Sequence, residues 1–202
     1  MEREKKGVSA ILLGAGQSTR MGEDKLRLPL GKKMIFQHCL DALLDSEVEQ
    51  VKIIVSRPSR ALKDYCALSR RIKLVQNRRP QRGMSGSIRR GLNQLDPGVE
   101  GVLIALGDQP LLKKRTINAL IRAFHPGEGE IVVPVYQGRR GNPVLFDRIY
   151  FEELSRLRGD AGGRSVIQRH PDKIVRVRTK SEAVVKDIDT PEEYEKLILC
   201  NR

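Results

Sequence analysis

The sequence predicts an α/β fold, a mostly parallel sheet flanked by helices on both faces. Three observations carry this. Short strand patterns alternate with helical patterns from residue 8 to about residue 125. The run Val102–Leu106 is almost continuously apolar, as expected of a strand covered on both sides. The apolar run Val8–Leu13 stops at a turn containing Gly14, Ala15 and Gly16, so a strand feeds directly into a loop whose backbone N–H groups are accessible to anionic oxygen.

The elements follow in order. Ile35, Phe36, Cys39, Leu40, Leu43 and Leu44 recur at helical spacing. Val51–Val55 reads as a strand, Ala61–Leu68 as a helix and Ile72–Val75 as a second short strand. Ser85–Leu95 reads as a helix opened by a serine cap, with Ile88, Leu92 and Leu95 inward. In Thr116–Phe124, Ile117, Leu120, Ile121 and Phe124 share the inward face. Beyond residue 125 the alternation breaks. Ile131–Tyr136, a turn at Gly138-Arg139-Arg140-Gly141 and Val144–Phe146 read as a hairpin-like excursion in the C-terminal third. A helix near Asp147–Leu157 and the glycine-rich stretch Gly159–Arg164 come next. Late strands are expected at Ile174–Val177 and Val184–Lys186, and Pro191 starts a closing helix. No repeat or linker interrupts the 202 residues, which predicts one domain spanning 1–202.

Composition narrows the function. Aromatic residues are only 4% and Trp is absent, so the core must be aliphatic. The formal charge is +13, and Arg70, Arg71, Lys73, Arg78, Arg79, Arg82, Arg89 and Arg90 crowd one stretch without an acidic residue. That stretch is either a solvated surface or a field that attracts polyanions. No aromatic residue interleaves with these arginines to stack a base, which argues against nucleic acid and for a small anionic substrate. Cys39, Cys66 and Cys200 have neither disulfide-frame nor zinc spacing. The apolar run after residue 7 is too short for a signal-peptide core or a membrane span, so a cytoplasmic protein without membrane contact is expected.

Four segments carry chemistry. Gly14-Ala15-Gly16, with Arg20 and Lys25 close behind, suits phosphate, but it fails the P-loop spacing and has Thr19 where a dinucleotide fingerprint needs its third glycine. Asp108, in Gly107-Asp108-Gln109-Pro110, directly follows the buried strand. It either caps the next helix or holds Mg²⁺, which prefers one or two carboxylates plus phosphate oxygens. Asp187 and Asp189 form a second carboxylate pair on one side of a continuing strand. Either Asp189 or Thr190 also caps the helix at Pro191; Asp187 is preferred for metal and Asp189 for the cap. Finally, Gly83-Met84-Ser85, beyond Asn77, places a helix N-terminus with free N–H groups where a base edge, ribose or phosphate can sit.

Taken in order, these segments resemble a known family. Leu13-Gly14-Ala15-Gly16-x-Ser18-x-Arg20-Met21-Gly22-x-x-Lys25, Gly83-Met84-Ser85, Gly107-Asp108-Gln109-Pro110, Gly138-x-Arg140-Gly141-x-Pro143 and Asp187-Ile188-Asp189-Thr190-Pro191-Glu192 look like the MobA-like nucleotidyltransferases. They are most similar to the molybdenum cofactor cytidylyltransferases of MocA type, over about residues 8–198. The resemblance implies a Rossmann-like nucleotidyltransferase fold, with 7–125 as the nucleotide-binding half and 126–202 as the acceptor-binding and second metal-carboxylate part. It implies transfer of CMP from CTP to the phosphate of molybdopterin with release of pyrophosphate. Mg²⁺, with Mn²⁺ as a substitute, would sit at Asp108 and the Asp187/Asp189 motif. It assigns nucleotide contacts to Leu13, Gly14, Ala15, Gly16, Arg20 and Lys25, and to Asn77, Gly83, Met84, Ser85 and Asp108. Arg20, Lys25 and Asp108 are the implied catalytic residues. Ala15 and the Gly-Met-Ser sequence side with cytidine over guanosine. Arg140, Asn142, Asp160 and Arg164 fall on the acceptor side, Asn142 standing where many relatives carry histidine. A transient contact with a recipient molybdoenzyme is also implied. The alternatives are guanylyl or other nucleotidyl transfer to molybdopterin or another small phosphorylated acceptor, and a non-catalytic carrier of the pterin cofactor.

Overall fold

The computed structural model describes residues 7–14, 25–160 and 162–200, without the side chains of Lys25 and Cys200. Strand β1 (Val8–Gly14) is followed by a short hairpin, β2 (Pro29–Leu30) and β3 (Lys33–Met34), that leads into helix α1 (Ile35–Leu44). Then come β4 (Val51–Val55), α2 (Arg60–Ala67), β5 (Ile72–Gln76), α3 (Gly83–Leu92), β6 (Gly101–Leu106) and α4 (Lys114–Ala123). The remainder is β7 (Ile131–Tyr136), β8 (Arg139–Arg140), β9 (Val144–Asp147), α5 (Phe151–Ser155), α6 (Arg164–Arg169), β10 (Ile174–Arg178) and α7 (Pro191–Cys200).

The main sheet has the order β10-β7-β9-β6-β1-β4-β5, with β8 added beside β7. β5, β4, β1 and β6 form a continuous parallel ladder. β9 runs antiparallel between β6 and β7, and β10 is parallel to β7. The expected mostly parallel α/β sheet is therefore present. The hairpin-like segment of the C-terminal third is incorporated into it.

Period-two alternation in the strands divides the core between two faces. Ala10, Leu12, Ile53, Leu103 and Ala105 meet α1, α2 and α4 through Phe36, Leu40, Cys66 and Leu120. Ile11, Leu13, Ile54, Val102 and Ile104 meet α3, α5 and α6 through Ile88, Leu154, Val166 and Ile167. A smaller cluster of Leu30, Ile35, Ile188 and Leu197 docks α7 on the β2–β3 hairpin, and the Tyr194 hydroxyl donates to Pro29 O at 2.6 Å.

Several boundaries differ from the sequence reading. α3 starts two residues early, at Gly83, and no side chain caps it; Ser85 is buried and its hydroxyl donates to Arg82 O instead. The turn after β7 is tighter than expected. Gln137 and Gly138 both have positive φ, as a two-residue hairpin requires, and Arg139–Arg140 is already strand. The helix expected over Asp147–Leu157 is a 3₁₀ turn at Arg148–Tyr150 followed by α5. Its preceding Asp147 is fully buried and accepts N–H bonds from Gly127, Gly129 and Ile149. α6 escapes the pattern because six residues with one apolar pair are too short to show a period. Val184–Lys186 is not a strand; Glu182–Val184 forms a 3₁₀ turn. Thr190, not Asp189, caps α7. Its hydroxyl accepts from Glu193 N, and the Glu193 carboxylate accepts from the Asp189 and Thr190 N–H groups, a capping box. Among the described residues no helix is long and apolar enough to cross a membrane.

The basic stretch 70–90 resolves into two kinds of residue. Arg70, Lys73, Arg78, Arg79, Arg82 and Arg90 are exposed, and Arg89 is half-buried. Arg71 is structural. Its guanidinium donates to Leu44 O at 2.6 Å and Glu49 O at 3.2 Å, and also to Ser46 O and Val48 O. It thus satisfies carbonyls at the C-terminal end of α1, where a cation also complements the helix dipole. Arg71→Met is expected to lower the unfolding free energy by about 2 kcal/mol. Urea denaturation measures this, and an unchanged midpoint would mean that water serves those carbonyls equally well.

Candidate nucleotidyl-transfer site

The parallel ladder brings Gly14, Val55, Gln76 and Leu106 to one edge of the sheet, the edge where ligands bind in open α/β folds. β1 and β6 are pressed together there. Gly107 N donates to Leu13 O at 3.0 Å. A Cβ on Gly107 would lie 3.0 Å from the Phe36 ring and 3.1 Å from Leu13 O; one on Gly14 would lie 3.1 Å from Val55 and 3.2 Å from the same ring. Glycine at both positions lets the start of the phosphate-type loop and the start of the Asp108 loop share one small space. Ala15, Gly16 and Arg20 lie outside the described residues. Lys25 opens a 3₁₀ turn over Lys25–Arg27.

Asp108 is partly exposed, with one carboxylate oxygen out of contact with solvent. Beneath it lies the fully buried Cys39, whose thiol donates to Leu106 O at 3.2 Å. Burial, and then the charge of Asp108, push the Cys39 thiol well above the ordinary cysteine range. Ile188 N donates to Asp108 O at 3.1 Å, so the residue between Asp187 and Asp189 is bonded to the backbone of Asp108. Gln109 is 1% exposed and donates through Nε2 to Asp187 Oδ1 at 2.6 Å and to Val184 O at 3.3 Å. Val184 O also accepts the Asn142 N–H at 2.7 Å. Gly141 is required beside it, because a Cβ there would sit 2.1 Å from that oxygen.

The two acidic motifs are thus joined through a backbone bond. Among the described residues no three His, Cys, Asp or Glu side chains gather closely enough to enclose a metal ion. That donor set fits a hard divalent cation held by one or two carboxylates, with phosphate and water oxygens filling the remaining positions. It does not fit a zinc site built from protein ligands.

The four acceptor-side residues of the sequence reading come together. Arg140, Asn142, Asp160 and Arg164 line a cavity of about 220 Å³ with an apolar floor that includes Leu106, the residue before Gly107. Neither the Arg140 nor the Arg164 guanidinium has a hydrogen bond or ion pair among the described residues. Part burial, and then the nearby charge of Arg164, hold the Arg140 pKa below the ordinary arginine value. Two neighbouring guanidinium groups give this cavity a positive lining, suited to an anionic group.

The N-terminus of α3 differs from expectation. Met84 N donates to Asp160 Oδ1 and Ser85 N to Gly159 O, both at 3.1 Å, so two of the N–H groups expected to be free are occupied. Asn77 is buried at 2% exposure with both ends of its amide engaged. Nδ2 donates to Ser87 Oγ, and Oδ1 accepts the Arg79 N–H, each at 3.0 Å. Asn77 and Ser85 therefore shape this loop, while Met84 is partly exposed and lines the acceptor-side cavity. Sequence reasoning misses Gln109 and Val184, because the bond from Gln109 to Asp187 spans 78 residues. The only signal is the presence of Gln109 within the Gly-Asp-Gln-Pro motif.

The MobA-like NTP transferase domain matches residues 10–174. The chain is 30% identical over 196 residues to the purine catabolism protein PucB of Bacillus subtilis (strain 168), covering 92% of this chain and 93% of PucB. It is 26% identical to nicotine blue oxidoreductase of Paenarthrobacter nicotinovorans, covering 95% of this chain and 96% of that protein. Among solved structures, Rv0371c from Mycobacterium tuberculosis H37Rv superposes with a TM-score of 0.82 at 27% identity, covering 97% of this chain and 100% of that one. A complex of Rv0371C with manganese superposes with a TM-score of 0.75 at 26% identity, covering 96% and 98% of the two chains. With the family match extending from β1 to the start of β10, the chain belongs to the MobA-like NTP transferase family and is a nucleotidyltransferase.

Proposed function

We propose that this nucleotidyltransferase transfers CMP from CTP to the terminal phosphate of molybdopterin and releases pyrophosphate. The observation that carries the reading is the bond from Ile188 N to Asp108 O, which sets the two acidic motifs side by side at the strand ends. The acceptor-side cavity, with Arg140 and Arg164, opens beside Leu106 on the same edge. The preference for cytidine and for molybdopterin rests on the resemblance of Leu13–Gly16 and Gly83–Ser85 to the MocA type.

In this reading the acceptor phosphate sits between Arg140 and Arg164, whose charges hold it and aim one oxygen at the α-phosphorus of CTP. A P–O bond forms on the far side of the α-phosphorus from the bond that breaks, and pyrophosphate leaves. Arg20, Lys25 and the N–H groups of the Gly14–Gly16 turn neutralise charge on that leaving group. Asp108 and Asp187 would hold a divalent ion, which would supply charge neutralisation to the reacting phosphates. The manganese complex of Rv0371C supports a divalent ion in this family fold. No covalent enzyme intermediate is needed, so catalysis is positioning and electrostatics.

Incubation with molybdopterin, Mg²⁺ and each of the four NTPs in turn is expected to yield pyrophosphate and a CMP adduct by mass only with CTP. Turnover with GTP instead would reassign the nucleotide, and no adduct with any NTP would favour the carrier reading.

Asp108→Asn is expected to lower kcat by about 10²-fold or more while the thermal melt stays in place. Near-parental turnover by the folded variant would remove Asp108 from the metal site.

Arg164→Ala removes one charge-assisted contact and is expected to raise the acceptor KM by roughly 10- to 100-fold, leaving the CTP KM unchanged. A rise confined to the CTP KM would place Arg164 on the nucleotide side.

A further inference from the structure

Gln109 is buried at 1% exposure, yet it is polar and sits between the two acidic motifs. Its amide orientation is set by its partners. Asp187 Oδ1 and Val184 O are both acceptors, so the nitrogen must face them; the flipped amide would point an oxygen at two oxygens. The amide oxygen is then left buried without a hydrogen-bond partner among the described residues. A buried polar atom without a partner is costly, and an apolar side chain of the same size would avoid that cost. What an apolar side chain cannot do is donate to the Asp187 carboxylate. The same Val184 carbonyl also takes the Asn142 N–H, so the acceptor-side loop is pinned to the atom that anchors Gln109.

We propose that Gln109 is a positioning residue that holds the Asp187 carboxylate in place for the divalent ion, with Val184 O as its fixed anchor. The proposal rests on the reading of Asp108 and Asp187 as ion ligands. Outer partners that orient a ligating carboxylate control metal affinity. Gln109 therefore acts through Asp187 and needs no contact with substrate. A purely structural role, stitching the segment before α7 to the strand ends, would affect stability and leave ion affinity alone.

The test is Mn²⁺ titration, with free Mn²⁺ read by electron paramagnetic resonance, on the parent, Gln109→Met and Asp187→Asn proteins. Gln109→Met keeps the size and removes the donor. It is expected to weaken Mn²⁺ binding by about 10-fold or more and to raise the half-saturating Mg²⁺ for turnover in parallel. The CTP KM at saturating Mg²⁺ should not move. Asp187→Asn is the reference. If it binds Mn²⁺ as the parent does, the ion-ligand reading itself falls. If Asp187→Asn is weakened and Gln109→Met matches the parent, or only its melting temperature drops, the positioning role is overturned. Should Gln109→Met fail to fold, the parent protein still decides. The Gln109 side-chain amide resonances should shift along the Mg²⁺ saturation curve, and resonances that stay in place overturn the proposal.

Discussion

The pairing of β1 with β6 is the contact on which the site depends. Leu13 and Leu106 are in register, and the next residue, Gly107, donates its N–H back to Leu13 O. Phe36 lies against both Gly14 and Gly107, so neither position has room for a side chain without displacing the ring. This close approach, in a packed interior that yields little, brings Gly14 at the end of β1 and the start of the Asp108 loop to one point. Gly14 and the Asp108 loop therefore start from neighbouring strand ends.

The late acidic motif comes from far along the chain and is attached through single backbone carbonyls. Val184 O receives both Asn142 N and Gln109 Nε2, and Asp108 O receives Ile188 N. The segment between these bonds carries Asp187, and Asp189 follows directly after Ile188. It is held from the other side by α7, whose Leu197 packs with Leu30 and Ile35 and whose Tyr194 bonds to Pro29 O. The acidic motif is thus clamped between the strand ends and the hairpin that precedes α1. Its position is set by these tertiary contacts rather than by a strand, since Glu182–Val184 is a 3₁₀ turn.

Legibility in the sequence follows the range of the forces involved. The parallel strands and their helices are visible because burial on two faces imposes local periods, as in Val102–Leu106 and Ile35–Leu44. α6 and the β2–β3 hairpin are too short to carry a period. In the candidate site, the grouping of Arg140, Asn142, Asp160 and Arg164 is anticipated by motif and found around one cavity. The part played by Asn77 and Ser85 is not anticipated. Nothing local says that Asn77 is buried and spent on Ser87 and Arg79, or that Gly159 and Asp160 return to occupy the start of α3.

By itself the sequence determined the α/β class, the aliphatic core, and the residue types available for phosphate and divalent-ion chemistry. These follow from composition and from patterns a few residues long. Only the tertiary structure decided which polar groups remain open to a ligand. A hydrogen bond commits an atom wherever its partner comes from, and the partners of Gln109, Met84 and Asn142 lie 78, 76 and 42 residues away. The role of a side chain at this edge is therefore settled by what folds back onto it.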